Sequence, residues 1–206
     1  MGLFLLYGGP FRGAVGLETR TYSLFRSIYT DPKGSSHMAV VPLTLADALR
    51  EYENKDIKEI CDCQYVDKSI NHCAHFVSHA LGLSFGYTCK GHTGKGSGVG
   101  ASLRVHEIFS RCPKVGKWND RGAAVTCLVF ITAEDHVDLS SHVMVNHPQK
   151  HIGIFSNGSV WHYSNGQDQV VKQTPEQVLE RFDKIYQGKV ELFYGTFPPG
   201  AKYPAN

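Results

Sequence analysis

Residues 71–82 read Asn-His-Cys-Ala-His-Phe-Val-Ser-His-Ala-Leu-Gly, and this stretch decides the fold. It predicts a helix that starts between Ser69 and Cys73 and runs to Leu81, with Gly82 as the residue that ends it. Cys73 then lies at the helix start, where unpaired amides and the macrodipole, equivalent to about half a positive charge, favour an anion. Because the thiolate is the nucleophilic form of cysteine, this position suits a catalytic thiol.

A nucleophilic thiol needs a base, and a predicted hairpin further along the chain carries two histidines. The strand His151 to Phe155 and the return strand Ser159 to Tyr163 are joined by Asn157-Gly158, whose residues tolerate the positive φ of a tight turn. His151 and His162 can therefore stand opposite each other across the pair. We predict His151 as the base and His162 as the group that fixes its tautomer.

Other residues can fill these roles. His142 also begins a short apolar strand and competes as the base, but only His151 is followed by Gly-Ile-Phe and the Asn-Gly turn. Asn165 or Asp168 can replace His162 as the orienting group. Cys73 can also be a buried core thiol, since free cysteine is often interior, although polar residues precede it.

The remaining elements place this pair of motifs in an α+β domain, because helices come first and an antiparallel sheet follows. Thr44 and Thr174 are predicted N-caps, the latter in a capping box with proline at N1. The predicted elements are a strand in Met1–Tyr7, helices Leu45–Arg50, Ser102–Cys112 and Pro175–Tyr186, and strands Val125–Ile131, His142–Asn146 and Val190–Phe197.

Length and charge restrict the function classes. The 206 residues suit a single domain spanning 1–206, with its core motifs at about 69–166. A formal charge of +2 argues against a dedicated nucleic-acid binder. No apolar run approaches the roughly 20 residues that span a bilayer, so no transmembrane segment is expected. The apolar N-terminus lacks the positive region and cleavage site of a signal peptide.

Cysteines and histidines leave a metal site and disulfides open. His75 and His79, spaced i, i+4 on one helical face, could bind zinc together with His72 or Cys73. A second possible zinc site joins Cys61-Asp62-Cys63 to Cys89 and His92. In an oxidising compartment, Cys61 and Cys63 could instead form disulfides with Cys89 or Cys112. Cys127 lies in an apolar run and is predicted to be a buried, inert thiol.

The glycine-rich stretch Gly91–Gly100 is similar to a phosphate-binding loop only in composition. A Walker motif needs Gly-Lys-Ser/Thr at the start of a helix, and here Gly96 follows Lys95. We predict a mobile loop near the site.

Two of these motifs resemble a known family. Residues 71–82 resemble the nucleophile helix of NlpC-type cell-wall peptidases and the related CHAP amidases, in which the cysteine is followed by small residues, an aromatic residue and Ala-Leu-Gly. Leu128-Val129-Phe130 resembles the strand before the family's histidine, and His151–Phe155 with Trp161-His162 resembles its histidine hairpin. The likeness covers roughly residues 71–165. The chain departs from the pattern at His72, where Asp is common, and at His75, where Gly or Ser is usual.

The resemblance implies a papain-like fold and a cysteine amidase or endopeptidase that cuts peptidoglycan stem peptides through Cys73, His151 and His162, without a cofactor. The chain resembles divergent members of this family, such as the amidases that bacteria inject into rivals. This implies delivery by a secretion machine, action in the periplasm of a target cell, and an immunity protein in the producer. The Cys73 amide is expected to help form the oxyanion hole. The alternatives are a thiol protease or acyltransferase with another substrate, and a non-catalytic zinc-binding or interaction module.

Overall fold

A computed structural model describes residues 44–124 and 126–203 with their side chains, and the backbone alone of 24–30 and 36–42. The chain divides into two compact units, residues 1–43 and 44–206. In the first unit, β1 (Leu24–Thr30) pairs antiparallel with β2 (Ser36–Pro42). The strand predicted within Met1–Tyr7 lies outside the described residues, and the extent of a single domain over 1–206 stays a prediction.

In the second unit, most helices come before the strands along the chain, and one lies between the last two strands. Its helices are α1 (Leu45–Arg50), α2 (Ile57–Ile60), α3 (Cys73–Leu81), α4 (Cys89–Thr93), α5 (Val105–Phe109) and α6 (Pro175–Tyr186). Its strands are β3 (Val115–Lys117), β4 (Thr126–Thr132), β5 (Val137–Asp138), β6 (Val143–Met144), β7 (Lys150–Ser156), β8 (Ser159–Ser164), β9 (Gln169–Gln173) and β10 (Glu191–Gly195). The predicted α+β class is confirmed.

Six strands form one antiparallel sheet in the order β3-β10-β4-β7-β8-β9. β4 lies inside it and is buried along its whole length, which fits its continuous apolar sequence. The predicted tight turn joins β7 to β8, with φ of 49° at Asn157 and 80° at Gly158. β7 and β8 pair only from Ile154 opposite Trp161 to the turn, so the first residues of β7 do not pair with β8.

The two faces of the sheet carry separate cores, because successive strand residues point to opposite sides. On one face, Ile152 and Ile154 pack in a cluster that includes Phe76 and Leu81 of α3. On the other face, Phe155 packs in a cluster with apolar residues of α6. Burial of a side chain such as Phe76, which is fully inaccessible, contributes about 1.5–3 kcal/mol. Helix α3 is thereby held against the strands that carry the two histidines.

The predicted ends of α3 and the predicted N-caps of α1 and α6 agree with the structure. α3 begins at Cys73 and ends at Gly82, which has a φ of 69° in the left-handed region. Thr44 caps α1, and the Thr174 capping box with Pro175 at N1 opens α6.

Some predicted elements are shorter than expected. α5 covers five residues where Ser102–Cys112 was predicted, because the Ser102 hydroxyl pairs with both backbone groups of Phe85 and holds its residue outside the helix. The predicted strand His142–Asn146 is reduced to β6, whose partner is the two-residue β5. Strand β9 was not predicted. Within the described ranges, the helices are all too short or too polar to cross a membrane.

Candidate active site

Cys73 is the first residue of α3, and its side chain is only 2% exposed. Two asparagines hold this helix start. The Asn71 Oδ1 atom accepts a hydrogen bond from the Cys73 amide at 2.9 Å, and Asn165 Oδ1 accepts one from the His72 amide at 3.2 Å. The Cys73 amide, predicted to help form an oxyanion hole, is therefore already paired. Its part in an oxyanion hole stays a prediction.

The thiol of Cys73 lies beside the start of β7. The backbone amides of Ile152 and Ala74 and the charge of Lys150 all favour its thiolate, as expected for a helix start. Burial is the larger effect and raises the pKa of Cys73 to about 11. The lowered pKa that the sequence predicts is absent because the closed site removes water from the sulfur. At neutral pH and without substrate, the Cys73 side chain is therefore a thiol.

The two histidines of the hairpin form a hydrogen-bonded chain with a third residue. His162 Nε2 lies 2.8 Å from Gln173 Oε1, an acceptor, so this nitrogen carries the proton. The other nitrogen of a neutral His162, Nδ1, then accepts a hydrogen bond from His151 Nε2 at 2.9 Å. The chain leaves the lone pair of a neutral His151 on Nδ1. A base with its free lone pair on a defined atom is what proton abstraction requires.

His151 is held in a low-dielectric pocket. Its ring stacks on Phe182 of α6, with 4.2 Å between centroids and 28° between planes. Burial lowers the pKa of His151 well below its usual range, and the nearby His162 and Arg181 act in the same direction. Burial also lowers the pKa of His162 to about 4. Both rings are therefore neutral near pH 7.

Cys73 and His151 both lie at the start of β7: Cys73 contacts this strand from α3, and His151 belongs to it. His151 and His162 belong to the α6 face of the sheet, whereas α3 packs on the other face. The Ile152 amide, which contacts the Cys73 thiol, belongs to the residue that follows His151 along β7. No hydrogen bond joins the thiol to an imidazole within the described ranges. Such contacts often tighten only when substrate binds.

The alternative residues have other partners. His142 Nδ1 donates to the Cys112 carbonyl at 3.2 Å. Asn165 holds the start of α3, and Asp168 accepts from the Tyr163 hydroxyl at 2.8 Å and forms an ion pair with Lys68. Gln173, not one of these, completes the imidazole chain.

Sequence reasoning missed Gln173 because its role depends on register. β8 and β9 pair with His162 opposite Val171, which places Gln173 two residues along on the same face. Only the pairing of these strands brings the two side chains together, and no motif in the sequence marks it.

Two cavities flank the helix start, and Asn71 lines both. One, of about 260 Å³, contains Cys73 together with Arg104, His106 and Lys150. The other, of about 350 Å³, contains His151. The buried His106 Nδ1 has no hydrogen-bond partner in the part of the chain that the structure describes. His106 is thus a second imidazole in the lining of the cavity that contains the thiol, and no motif in the sequence indicates it.

A separate group of side chains could hold a metal. The ligand atoms of Cys61, His75, His79 and Cys89 lie within 4.8 Å of one another. This set combines parts of both zinc sites considered from the sequence. His92 is not a member, and its Nδ1 is paired with the Tyr87 hydroxyl. All six cysteines are free thiols.

The glycine-rich stretch lies beside this group. Its first residues, Gly91–Thr93, belong to α4, and the Asp62 carboxylate accepts hydrogen bonds from both the amide and the hydroxyl of Ser97. The stretch is thus tied to the segment around Cys63, and none of its residues lines the cavity that contains Cys73.

Comparisons with protein-family models, with curated proteins and with solved structures find no match to this chain. The likeness of residues 71–165 to cell-wall peptidases therefore rests on the two motifs quoted above.

Proposed function

We propose that this chain is a papain-like thiol hydrolase, similar to the NlpC and CHAP enzymes, that cleaves amide bonds through Cys73. The observation that supports this proposal best is the chain His151–His162–Gln173, which fixes a free lone pair on His151 Nδ1 beside the strand residue that contacts the thiol. A neutral thiol beside a neutral imidazole suits general-base attack, in which the proton moves as sulfur bonds to carbon.

In the proposed reaction, the sulfur of Cys73 attacks the substrate carbonyl carbon while His151 Nδ1 takes the thiol proton. The imidazolium then gives this proton to the departing amine, and a thioester remains. Water attacks the thioester, His151 accepts a proton from it, and the acid and free thiol are released. Since Asn71 Oδ1 is bonded to the Cys73 amide, the Asn71 side-chain NH2 is the proposed donor to the oxyanion.

The cavity that contains Cys73 favours an anionic substrate. Arg104 and Lys150 both line it, and His106 adds a further nitrogen donor. Stem peptides of peptidoglycan carry free carboxylates, which these cations can bind. We therefore propose an amide bond of a peptidoglycan stem peptide as the target. A thiol protease or an acyltransferase would use the same residues on another acyl group, and only substrate screening separates these reactions.

Digestion of purified sacculi tests the proposal. Wild-type protein should release new muropeptides that mass spectrometry identifies, and Cys73→Ala should release none while retaining a folded circular dichroism spectrum. Cys127→Ala is the matched control, because it removes another buried thiol that does not line the cavity around Cys73. Equal release by wild type and Cys73→Ala would refute the proposal. The non-catalytic alternative predicts no muropeptide release and no alkylation of Cys73 by iodoacetamide.

Activity measurements on three histidine variants test which residue is the base. His151→Ala should abolish release, whereas His106→Ala and His142→Ala should retain most of it. The chain to His162 and Gln173 sets a lone pair on His151 Nδ1, whereas His142 Nδ1 donates to the Cys112 carbonyl. Loss of activity in His106→Ala with retention in His151→Ala would transfer the role to His106.

Delivery and partners follow from the hydrolase proposal. A wall hydrolase injected into a rival would act in the periplasm, and its producer would need a carrier and an immunity protein. Expression in a Gram-negative host, with and without an added export signal, tests the location. Lysis should require both export and Cys73, and lysis by the cytoplasmic form would contradict a target in the wall.

A further inference from the structure

Four buried or nearly buried side chains from three separate segments converge beside α3. Cys61 follows α2, His75 and His79 lie one helical turn apart on α3, and Cys89 begins α4. Each directs one ligand atom into the same small volume, within 4.8 Å of the others. Two thiols and two imidazoles in this arrangement form the donor set of a Cys2His2 site.

The distances match a tetrahedral ion. With Zn–S of about 2.3 Å and Zn–N of about 2.0–2.1 Å, ideal tetrahedral edges are about 3.8 Å between sulfurs and about 3.3 Å between nitrogens. Cys61 Sγ lies 3.8 Å from Cys89 Sγ, and His75 Nε2 lies 3.2 Å from His79 Nε2. Since a disulfide has an S–S distance of about 2.05 Å, these thiols are spaced as ligands of one centre.

Hydrogen bonds around the group set the lone pair of His75 toward its centre. The Asp67 carbonyl can only accept, so His72 Nε2, at 2.9 Å from it, carries a proton. His72 Nδ1 is then an acceptor and receives the His75 Nδ1 proton at 3.3 Å. His75 Nε2 is left with its lone pair facing His79. A ligand imidazole whose other nitrogen donates to a fixed acceptor is the usual support of a metal site.

The sulfurs have comparable support. The Cys63 amide donates to Cys61 Sγ at 3.3 Å, and the Ala101 amide donates to Cys89 Sγ at 3.1 Å. Amide donors stabilise negative charge on sulfur, which a metal-bound thiolate carries. Each thiol of the group therefore has a backbone partner suited to its deprotonated form.

We propose that Cys61, His75, His79 and Cys89 bind one Zn²⁺. A tetrahedral S2N2 set selects zinc over the harder cations, and four protein ligands make the site structural because no position stays open for substrate. The ion would join α2, α3 and α4, and so anchor the helix that begins with Cys73. The site stands independently of the proposed hydrolase reaction, since it uses none of that reaction's residues.

Metal analysis of the full chain tests this site. Wild-type protein should bind one zinc per chain by elemental analysis after dialysis against a weak chelator. Cys61→Ser and Cys89→Ser should lose it. Cys63→Ser is the matched control, because its thiol forms a neighbouring group of possible ligands with Cys61 and Asp62 but lies outside the four-residue set, and it should retain zinc. Zinc-free wild type, or equal loss in Cys63→Ser and Cys61→Ser, would overturn the proposal.

A second measurement keeps the proposal testable where a ligand variant does not fold. Wild-type protein unfolded with a chelator and refolded with Co²⁺ should show the charge-transfer band of thiolate-bound cobalt and the visible bands of a tetrahedral ion. Their absence would exclude the site. Cys73→Ala should give the same metal content as wild type whether or not wild type cuts peptidoglycan, so failure of the hydrolase proposal is distinguishable.

Discussion

Replacement of Gln173 by Leu gives a specific test of the imidazole chain. The change keeps most of the side-chain volume and removes the acceptor 2.8 Å from His162 Nε2. His162 then has a buried N–H without a partner, which costs about 1–3 kcal/mol. His162 can recover a partner by moving its proton to Nδ1, but it then no longer accepts from His151, whose tautomer is released. If this energy is added to the activation free energy of the reaction, kcat falls roughly 5- to 150-fold.

The assay is the rate of muropeptide release at saturating substrate, across pH. Gln169→Ala is the control, since it changes the same residue type at the other end of β9. Gln173→Glu retains an acceptor and adds a negative charge, which stabilises the imidazolium. It should restore most of kcat and move the acidic limb of kcat/KM to higher pH, because the base then protonates more readily. An unchanged kcat in Gln173→Leu, or an unmoved limb in Gln173→Glu, would refute the proposed relay.

Two further predictions concern stability. The pKa of His162 is about 4 in the folded protein and near its ordinary 6.5 when unfolded, so between these values the unfolded chain binds more protons and stability falls as pH falls, by up to about 3 kcal/mol. Urea unfolding from pH 7 to pH 4 should show this loss, reduced in His162→Asn; parallel curves would contradict it. Gly153→Ala places a Cβ 2.8 Å from Val160 Cγ1 and 3.0 Å from the Trp161 carbonyl. It should lower the free energy of unfolding by about 1–3 kcal/mol, whereas Gly188→Ala, whose nearest contact is 3.7 Å, should change it little; equal effects would show that the close approach of β7 and β8 is unimportant.

Local signals in the sequence were sufficient for the elements that carry the site. Gly82 ends α3 and the Asn157-Gly158 pair turns the hairpin because both positions need positive φ. The Thr174 box opens α6 because its side chain pairs with the amide of Gln177 three residues on. Short elements such as β9 and α4 were missed, since five residues carry too little pattern to stand out from loop sequence.

The protonation state and the partners of the site's side chains could not be predicted from local sequence signals. A helix start predicts a thiolate, yet burial of Cys73 outweighs the amides that surround it, and this burial exists only after α3 has packed on the sheet. The two zinc sites considered from spacing each contain part of the four-residue set, and neither contains all of it. Cys61 and Cys89 are 28 residues apart, and only the folded chain brings both to His75 and His79.

The amino-acid sequence alone determined the α+β class, the helix that begins at Cys73 and the hairpin that carries His151 and His162. These features depend on caps, turns and strand patterns that act over a few residues. Tertiary structure decided which acceptor completes the imidazole chain and which distant side chain holds the start of α3. It also decided which four side chains could share an ion. Those outcomes depend on distances between segments that are remote along the chain, and on the loss of water when they pack.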